Sequence, residues 1–264
     1  MNFLNSLFGK KSTDEETIQW ETNIQLDLVD ESNLVNMLKV IASHKGRIWN
    51  AEAIFKLNQE QRIYNAAKHK QGLTVFDLTS SSKGYELNAD DVRRLAKSGL
   101  PNFRDSVYKS LTSVENDFVN LIQSKKKESV RNLIAICSNE KKYDENVIRT
   151  SRLYLQDHLG QNVVDELVSS FRESDKNMRF EIIRLLGQLY FWKKVPSEYI
   201  SDVIETLIAA LKDSDLDVRF IAAVSFKDIK DSRAIEPLRN VSQNRSEDSR
   251  IRDQASKALR NQES

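Results

Sequence analysis

The stretch LKDSDLDVRFIAA, residues 211–223, decides the fold of this chain. Its polar centre contains Asp213 and Asp215, a residue type that ends one helix and accepts hydrogen bonds from the first N–H groups of the next. Val218 and Arg219 follow, and they combine an apolar side chain that packs inward with a guanidinium that can reach turn carbonyls or a neighbouring carboxylate. The stretch therefore predicts a tight corner between two antiparallel helices.

The same corner occurs three times along the chain. Each second helix opens with an apolar residue and an arginine, at Met178-Arg179, Val218-Arg219 and Ile251-Arg252, which are 40 and 33 residues apart. A single helix pair cannot bury its apolar face, so neighbouring copies are expected to stack, with a polar last copy capping the array. The corner residues that we expect to be structural are Arg179, Asp215, Arg219, Asp248 and Arg252.

The corner within residues 211–223 resembles the HEAT repeats of the phycobilin-lyase type, whose corner reads Asp-x-Asp-x-x-Val-Arg and is followed by small residues such as Ala222 and Ala223. The resemblance implies a mainly α protein with a C-terminal α-solenoid of antiparallel helix pairs over residues 105–264. The clear copies begin near residue 161. Amphipathic stripes carry the helical pattern back to residue 105, either as further repeats or as a helical connector.

Residues 30–104 have a different pattern. They predict a first amphipathic helix that ends near Gly46, a short second helix after Asn50, and a third helix that ends at Gly72. LTVFDL and YEL, joined by SSSKG, predict a two-stranded hairpin. This order resembles the winged-helix fold, so we expect a small α+β domain before the solenoid.

The winged-helix resemblance implies a surface that contacts duplex DNA. Residues 30–104 carry a charge of +4, whereas residues 1–29 carry −3 and the remainder is neutral. This excess is small for a surface that must bind phosphates, and many winged helices bind only proteins, so a protein-binding wing is kept as the alternative. The candidate nucleic-acid contacts are Gln61, Arg62, Asn65, Lys68, His69 and Lys83.

Residues 1–29 form an N-terminal amphipathic segment and linker. Four apolar residues share one helical face before two lysines, a pattern typical of a short helix that docks on a membrane surface or a partner, or packs on its own chain. No run approaches the roughly 18 apolar residues of a membrane span, and the order of a signal peptide is missing. We therefore expect a cytoplasmic protein without a transmembrane segment. The residues of the face and the lysines are Phe3, Leu4, Leu7, Phe8, Lys10 and Lys11.

The composition and the motifs predict no enzyme site. The net charge is only +1, and the chain has seven Gly and three Pro, which favours long helices. Its three histidines lack metal-ligand spacing, and no phosphate loop, nucleophile elbow or dinucleotide fingerprint occurs, so we expect no catalytic residues, no metal and no cofactor. The single cysteine, Cys137, lies in an apolar run and is expected to be a small buried side chain.

One cluster in the repeat region is unusual, and we call it the aromatic lip. Its aromatic side chains tolerate partial burial and are good interface anchors, so the lip is a candidate partner-binding surface. The alternative is that it fills a gap between misaligned repeats. The lip consists of Tyr190, Phe191, Trp192, Lys193, Lys194 and Tyr199.

These observations favour a non-enzymatic scaffold or adaptor that presents a concave helix face to a protein partner. The alternative is a DNA-associated regulator that binds duplex DNA through the winged helix. A lesser alternative is an enzyme similar to the HEAT-like DNA glycosylases or the bilin lyases, because both share this kind of helical architecture.

Overall fold

The computed structural model describes residues 24–56, 89–157, 159 and 162–263, and within these ranges it contains helices and no strand. The chain divides into two compact units. One contains residues 1–27 and 36–120, and the other contains residues 28–35 and 121–264. The third helix and hairpin expected in the winged-helix segment, and the amphipathic N-terminal segment, lie outside the described residues.

The described part of the first unit comes from two helices, α1 (Glu31–Lys56) and α2 (Ala89–Ser124). Gly99 interrupts α2 with φ 76° and ψ 165°, and Pro101 follows, so α2 is two helical segments joined at a kink. The boundary expected between residues 104 and 105 falls within the second of these segments.

The expected helix end near Gly46 is wrong, because α1 continues through Gly46 and Asn50. Tertiary contacts of the first unit explain the difference. Arg47 donates hydrogen bonds of 2.9 and 2.5 Å to the buried carboxylate of Asp91, and Lys45 pairs with Glu115 at 2.6 Å. Such contacts outweigh the roughly 1 kcal/mol that a glycine costs inside a helix.

The second unit is a series of helix pairs. It contains α3 (Lys126–Cys137) with α4 (Glu145–Asp157), α5 (Asn162–Ser170) with α6 (Lys176–Phe191), α7 (Ile200–Ala210) with α8 (Leu216–Ser225), and α9 (Ile235–Gln243) with α10 (Ser249–Glu263). Short 3₁₀ turns lie at Phe171–Glu173, Ser197–Tyr199 and Ser232–Ala234. None of the described helices of the chain is both long and apolar enough to span a membrane.

The pairs of the second unit stack in two layers. The first helices α3, α5 and α7 contact one another in order, and so do the second helices α6, α8 and α10. Small residues make the second layer tight: Ala222 and Ala223 are fully buried, and Gly187 of α6 lies against Ser225 of α8. The expected stripes before residue 160 are also confirmed as core, since Leu133, Ile134 and Cys137 are fully buried.

Candidate functional site

The corners that open the second helices are built on capping aspartates. Asp175 accepts hydrogen bonds from the backbone N–H groups of Asn177 and Met178 at 2.9 and 3.0 Å. Asp215 caps α8 in the same way at 3.0 and 3.3 Å, and Asp248 accepts from the N–H of Arg250 at 2.8 Å. Asp215, which was expected to cap a helix, and Asp248, which was expected to be a structural corner residue, thus both accept hydrogen bonds from helix-start N–H groups.

Arginine side chains join each corner to the next. Arg179 donates two hydrogen bonds of 2.8 Å to the carboxylate of Asp213 in the following repeat, and a third to the Ser174 carbonyl at 2.9 Å. Arg219 binds Glu247 in the same two-pronged way at 2.8 and 3.0 Å, and the Asp213 carbonyl at 2.8 Å. Such paired, charge-assisted bonds fix the register of one repeat on the next.

These contacts determine the charge state of the corner carboxylates. Burial disfavours the charged form of Asp213, but hydrogen bonds from Arg179 and from the backbone N–H of Asp215 outweigh it and lower the pKa of Asp213. Hydrogen bonds from Arg219 lower the pKa of Glu247, against a smaller opposing effect of burial. Both groups are thus ionised acceptors in the fold.

A fourth corner, which the sequence analysis did not identify, opens α4. Asp144 accepts hydrogen bonds from the N–H groups of Asn146 and Val147 at 3.0 and 3.1 Å, as Asp175 does in α6. Ile148 occupies the place of the corner arginine, which removes the clearest part of the motif. The remaining signal is an Asp-x-Asn-apolar order shared by residues 144–147 and 175–178.

The comparison with known families agrees with this geometry. Residues 164–260 match the family model for HEAT repeats. HEAT repeats are generally scaffolds for protein interactions. The matched range takes in nearly all of α5 to α10, so this part of the chain is HEAT-like, whereas the phycobilin-lyase subtype stays a prediction. A search of the curated proteins gives no match.

The starts of the second HEAT helices surround a cavity of about 640 Å³, which we call the helix-start groove. Residues at equivalent positions of successive second helices line this groove, so the groove results from the stacking of the repeats. Phe180 and Phe220 take one such position and are half-buried. Its lining includes Asn177, Phe180, Glu181, Asp217, Phe220 and Arg250.

A buried polar network lies beside the groove. Glu181 is 2% exposed and binds Arg152 of α4 and Arg184 of its own helix, the latter at 2.8 Å. Gln188 accepts from Arg184 at 2.9 Å and from Gln156 at 2.6 Å, which extends the network between α4 and α6. Because Glu181 is engaged by two arginines, it holds the wall of the groove in place.

The thiol on the groove wall belongs to Cys137, and its surroundings make it unreactive. Cys137 is fully buried, and burial raises the pKa of its thiol to about 12. The thiolate required of a nucleophile or a metal ligand is therefore strongly disfavoured. The interpretation of Cys137 as a small buried side chain is confirmed. Across the described residues, no group of three or more His, Cys, Asp or Glu has the arrangement of a metal site.

The aromatic lip lies at the other end of α6. Phe191 and Trp192 are 58% and 45% exposed, whereas Tyr190 and Tyr199 are half-buried. Lys194 forms an ion pair with Asp157, and its Nζ lies 5.5 Å from the centre of the Trp192 ring. The structure therefore brings Lys194 and Trp192 of the lip together, and it leaves the large apolar side chains of Phe191 and Trp192 in solvent.

The helix end that carries the lip is closed by a Schellman turn. The N–H of Lys194 donates to the Leu189 carbonyl at 2.8 Å, and the N–H of Lys193 donates to the Tyr190 carbonyl at 2.9 Å. Lys193 has φ 57°, in the left-handed region where glycine is the usual residue. A lysine at this position stores backbone strain beside Trp192.

The DNA-contact prediction concerns a different part of the chain. Its candidate residues, Gln61, Arg62, Asn65, Lys68, His69 and Lys83, lie outside the described residues. They stay a prediction.

Proposed function

We propose that this chain is a non-enzymatic scaffold that binds a segment of a partner protein in the helix-start groove. The observation that carries the proposal is the pair of half-buried rings, Phe180 and Phe220, on successive HEAT helices beside a cavity of about 640 Å³. A cavity of this size lies within the range of protein ligand sites, and stacked repeats commonly use such continuous surfaces for binding.

The charges around the groove favour a protein over a nucleic acid. The lining contains four carboxylate residues and three cationic residues, so it lacks the basic excess that phosphate contacts require. Aromatic rings flanked by polar groups of both signs suit a peptide, whose apolar side chains enter the cavity while its backbone and charged groups meet the rim. The charged lining residues are Glu140, Lys141, Lys176, Glu181, Asp215, Asp217 and Arg250.

The aromatic lip is proposed as a second contact region. Phe180 and Phe191 lie on the same helix, about 16 Å apart at 1.5 Å of rise per residue. A partner that follows α6 from the groove to the lip would bury Phe191 and Trp192, which are otherwise exposed. Aromatic side chains in this setting are typical anchors of protein interfaces.

No described residue favours the DNA-associated alternative. The continuous α1 removes one of the helix boundaries on which the winged-helix resemblance depends. The glycosylase and bilin-lyase alternatives likewise have no residue constellation in the described ranges that would carry their chemistry. These alternatives stay predictions, and the scaffold is the function that the geometry supports best.

The proposal is tested by affinity capture from cells, with mass spectrometry, of the full chain and three variants. Asn177→Trp fills the groove from an exposed helix position, and Asn240→Trp makes the same exchange at an exposed position of α9. We expect the wild type and Asn240→Trp to capture the same partner and Asn177→Trp to lose it. Trp192→Ala should weaken capture without abolishing it.

Two results would overturn the groove proposal. One is capture of the same partners, in the same amounts, by Asn177→Trp and the wild type. The other is loss of the partner from Trp192→Ala alone, which would assign binding to the lip. Far-ultraviolet circular dichroism and thermal melting of each variant establish that a loss of capture is not a loss of fold.

A further inference from the structure

The helix-start groove contains a carboxylate that the described part of the chain leaves unpaired. Asp217 lines the groove and is exposed. Its backbone N–H donates to Asp215 at 3.0 Å, but its carboxylate forms no hydrogen bond or ion pair with any described residue. Because binding surfaces pair opposite charges, Asp217 is available to a cation of the bound partner.

This carboxylate stands beside the two aromatic rings of the groove. Asp217 and Phe220 are three residues apart on α8, so they are neighbours on the helix surface. Phe180 takes the position of Phe220 on α6, and Gly187 allows α6 and α8 to approach closely. Packed helix axes lie about 8–10 Å apart, so a cation midway between rings with the same separation would be about 4–5 Å from each. That distance is within the roughly 6 Å over which an aromatic face attracts a cation.

The cations that line the groove do not bind Asp217 directly. Lys176 lies 3.8 Å from the carboxylate of Asp215, and Arg250 lies 3.1 Å from that of Asp248. A hydrogen bond to Asp248 raises the pKa of Arg250, and the charge of Asp217 adds a smaller effect. The third lining cation is on the turn between α3 and α4, and the corner arginines do not line the groove: Lys141, Arg179, Arg219 and Arg252.

We propose that the segment bound in the helix-start groove places a lysine or arginine side chain between Phe180 and Phe220, with its charge beside Asp217. The inference rests on the proposed function, because it names the side chain that the groove recognises. The rings cover the methylene stem and attract the cation, while the carboxylate accepts hydrogen bonds from its N–H groups. An apolar side chain in this place would leave Asp217 partly desolvated and unpaired, and an acidic one would be repelled.

The probe for this site is a phage-displayed library of random nine-residue peptides. The library is selected on the full chain and counter-selected on Asn177→Trp, which fills the groove, so the peptides that remain depend on the groove. We expect these peptides to share a Lys or Arg next to an apolar residue. One of them is labelled with fluorescein, and its Kd for the full chain is measured by fluorescence anisotropy.

Variants of the chain and of the peptide test where the cation lies. Asp217→Asn keeps the shape of the side chain and should raise the Kd about two- to fivefold. Phe220→Leu stays apolar but has no ring, and it should raise the Kd about threefold. Citrulline, which has the shape of arginine without its charge, should raise the Kd about tenfold at the basic position of the peptide. Asp228→Asn, at an exposed carboxylate that does not line the groove, is the matched control and should bind as the wild type does.

The outcomes separate this inference from the proposed function. The inference is overturned if the groove-dependent peptides lack a basic residue, if Asp217→Asn or the citrulline peptide binds with unchanged Kd, or if Asp228→Asn weakens binding equally. In each of these cases the groove still binds a peptide, so the proposed function stands. If no peptide depends on the groove, both fail. Circular dichroism of each variant establishes that a change in Kd is not a loss of fold.

Discussion

Gly187 of α6 and Ser225 of α8 lie so close that the second helices of two repeats can stack only because position 187 has no side chain. A Cβ atom at Gly187 would lie 2.4 Å from Ser225 Oγ and 2.9 Å from Ser225 Cβ. Real Cβ atoms are not found at such distances from their neighbours. The stacking distance of the central repeats is therefore determined at this contact.

We expect Gly187→Ala to lower the free energy of unfolding by about 1–3 kcal/mol, as overpacking does, although alanine alone favours a helix. Urea unfolding followed by circular dichroism measures the change. Ser225→Gly in the same chain removes both clashing atoms and should recover most of the loss. A double variant no more stable than Gly187→Ala would show that the contact is not the cause.

The corner carboxylates predict how stability depends on pH. The pKa values of Asp213 and Glu247 are lowered in the fold from ordinary values of 3.8 and 4.5. A group with a lowered pKa contributes stability above its unfolded pKa, and that stability is lost as the pH falls through the folded pKa. The free energy of unfolding should thus be level above about pH 5 and decrease below it.

The combined variant Asp213→Asn with Glu247→Gln tests this assignment by urea unfolding across the same pH range. It should be less stable at neutral pH and should show a smaller decrease in acid. Asp228→Asn, at an exposed carboxylate, is the matched control and should keep the wild-type profile. An unchanged acid slope in the combined variant would refute the role of the corners.

The thiol of Cys137 is expected to report on unfolding through its reactivity. It is fully buried with a pKa raised to about 12, so it should react with a thiol reagent at about pH 8 far more slowly than an exposed cysteine. Because the chain has one cysteine, labelling detected by mass spectrometry follows this position alone. Its rate should increase with urea in parallel with the loss of helix. Rapid labelling of the native chain would contradict the burial of this thiol.

The left-handed backbone of Lys193 leads us to expect a gain of stability when this residue is replaced by glycine. Lys193→Gly should raise the free energy of unfolding by about 0.5–1 kcal/mol, because the left-handed backbone costs other residues roughly 1–2 kcal/mol and glycine little. Thermal melting measures the gain. Lys193→Ala removes the same side chain and retains the strain, so an equal gain in that variant would argue against the backbone explanation.

The sequence predicted the HEAT-like corners well because their chemistry is local. A capping aspartate and an apolar-arginine pair are adjacent in the chain, so the roles of Arg179 and Arg219 follow from a few residues. The corner at Asp144 was missed because Ile148 replaces the arginine. The break expected at Gly46 was wrong since the ion pair between Arg47 and Asp91 depends on residues far apart in sequence.

The groove could not be predicted from the sequence in the same way. Phe180 and Phe220 follow their corner arginines and look like core residues in a helical pattern. Their partial exposure results from how successive helices stack. The apolar periodicity of a single helix carries no information about this stacking. The aromatic lip was found because its composition is unusual, whereas the left-handed turn at Lys193 has no glycine to reveal it in the sequence.

The corner pairs also bear on how such an array grows. The repeat of α7 and α8 offers a carboxylate, Asp213, to the arginine before it and an arginine, Arg219, to the carboxylate after it. A duplicated copy inserted beside it would meet a compatible neighbour on both sides. Tandem duplication can therefore lengthen the protein without new mutations at the joints, and the later divergence of each copy is free to act on the surface that meets a partner.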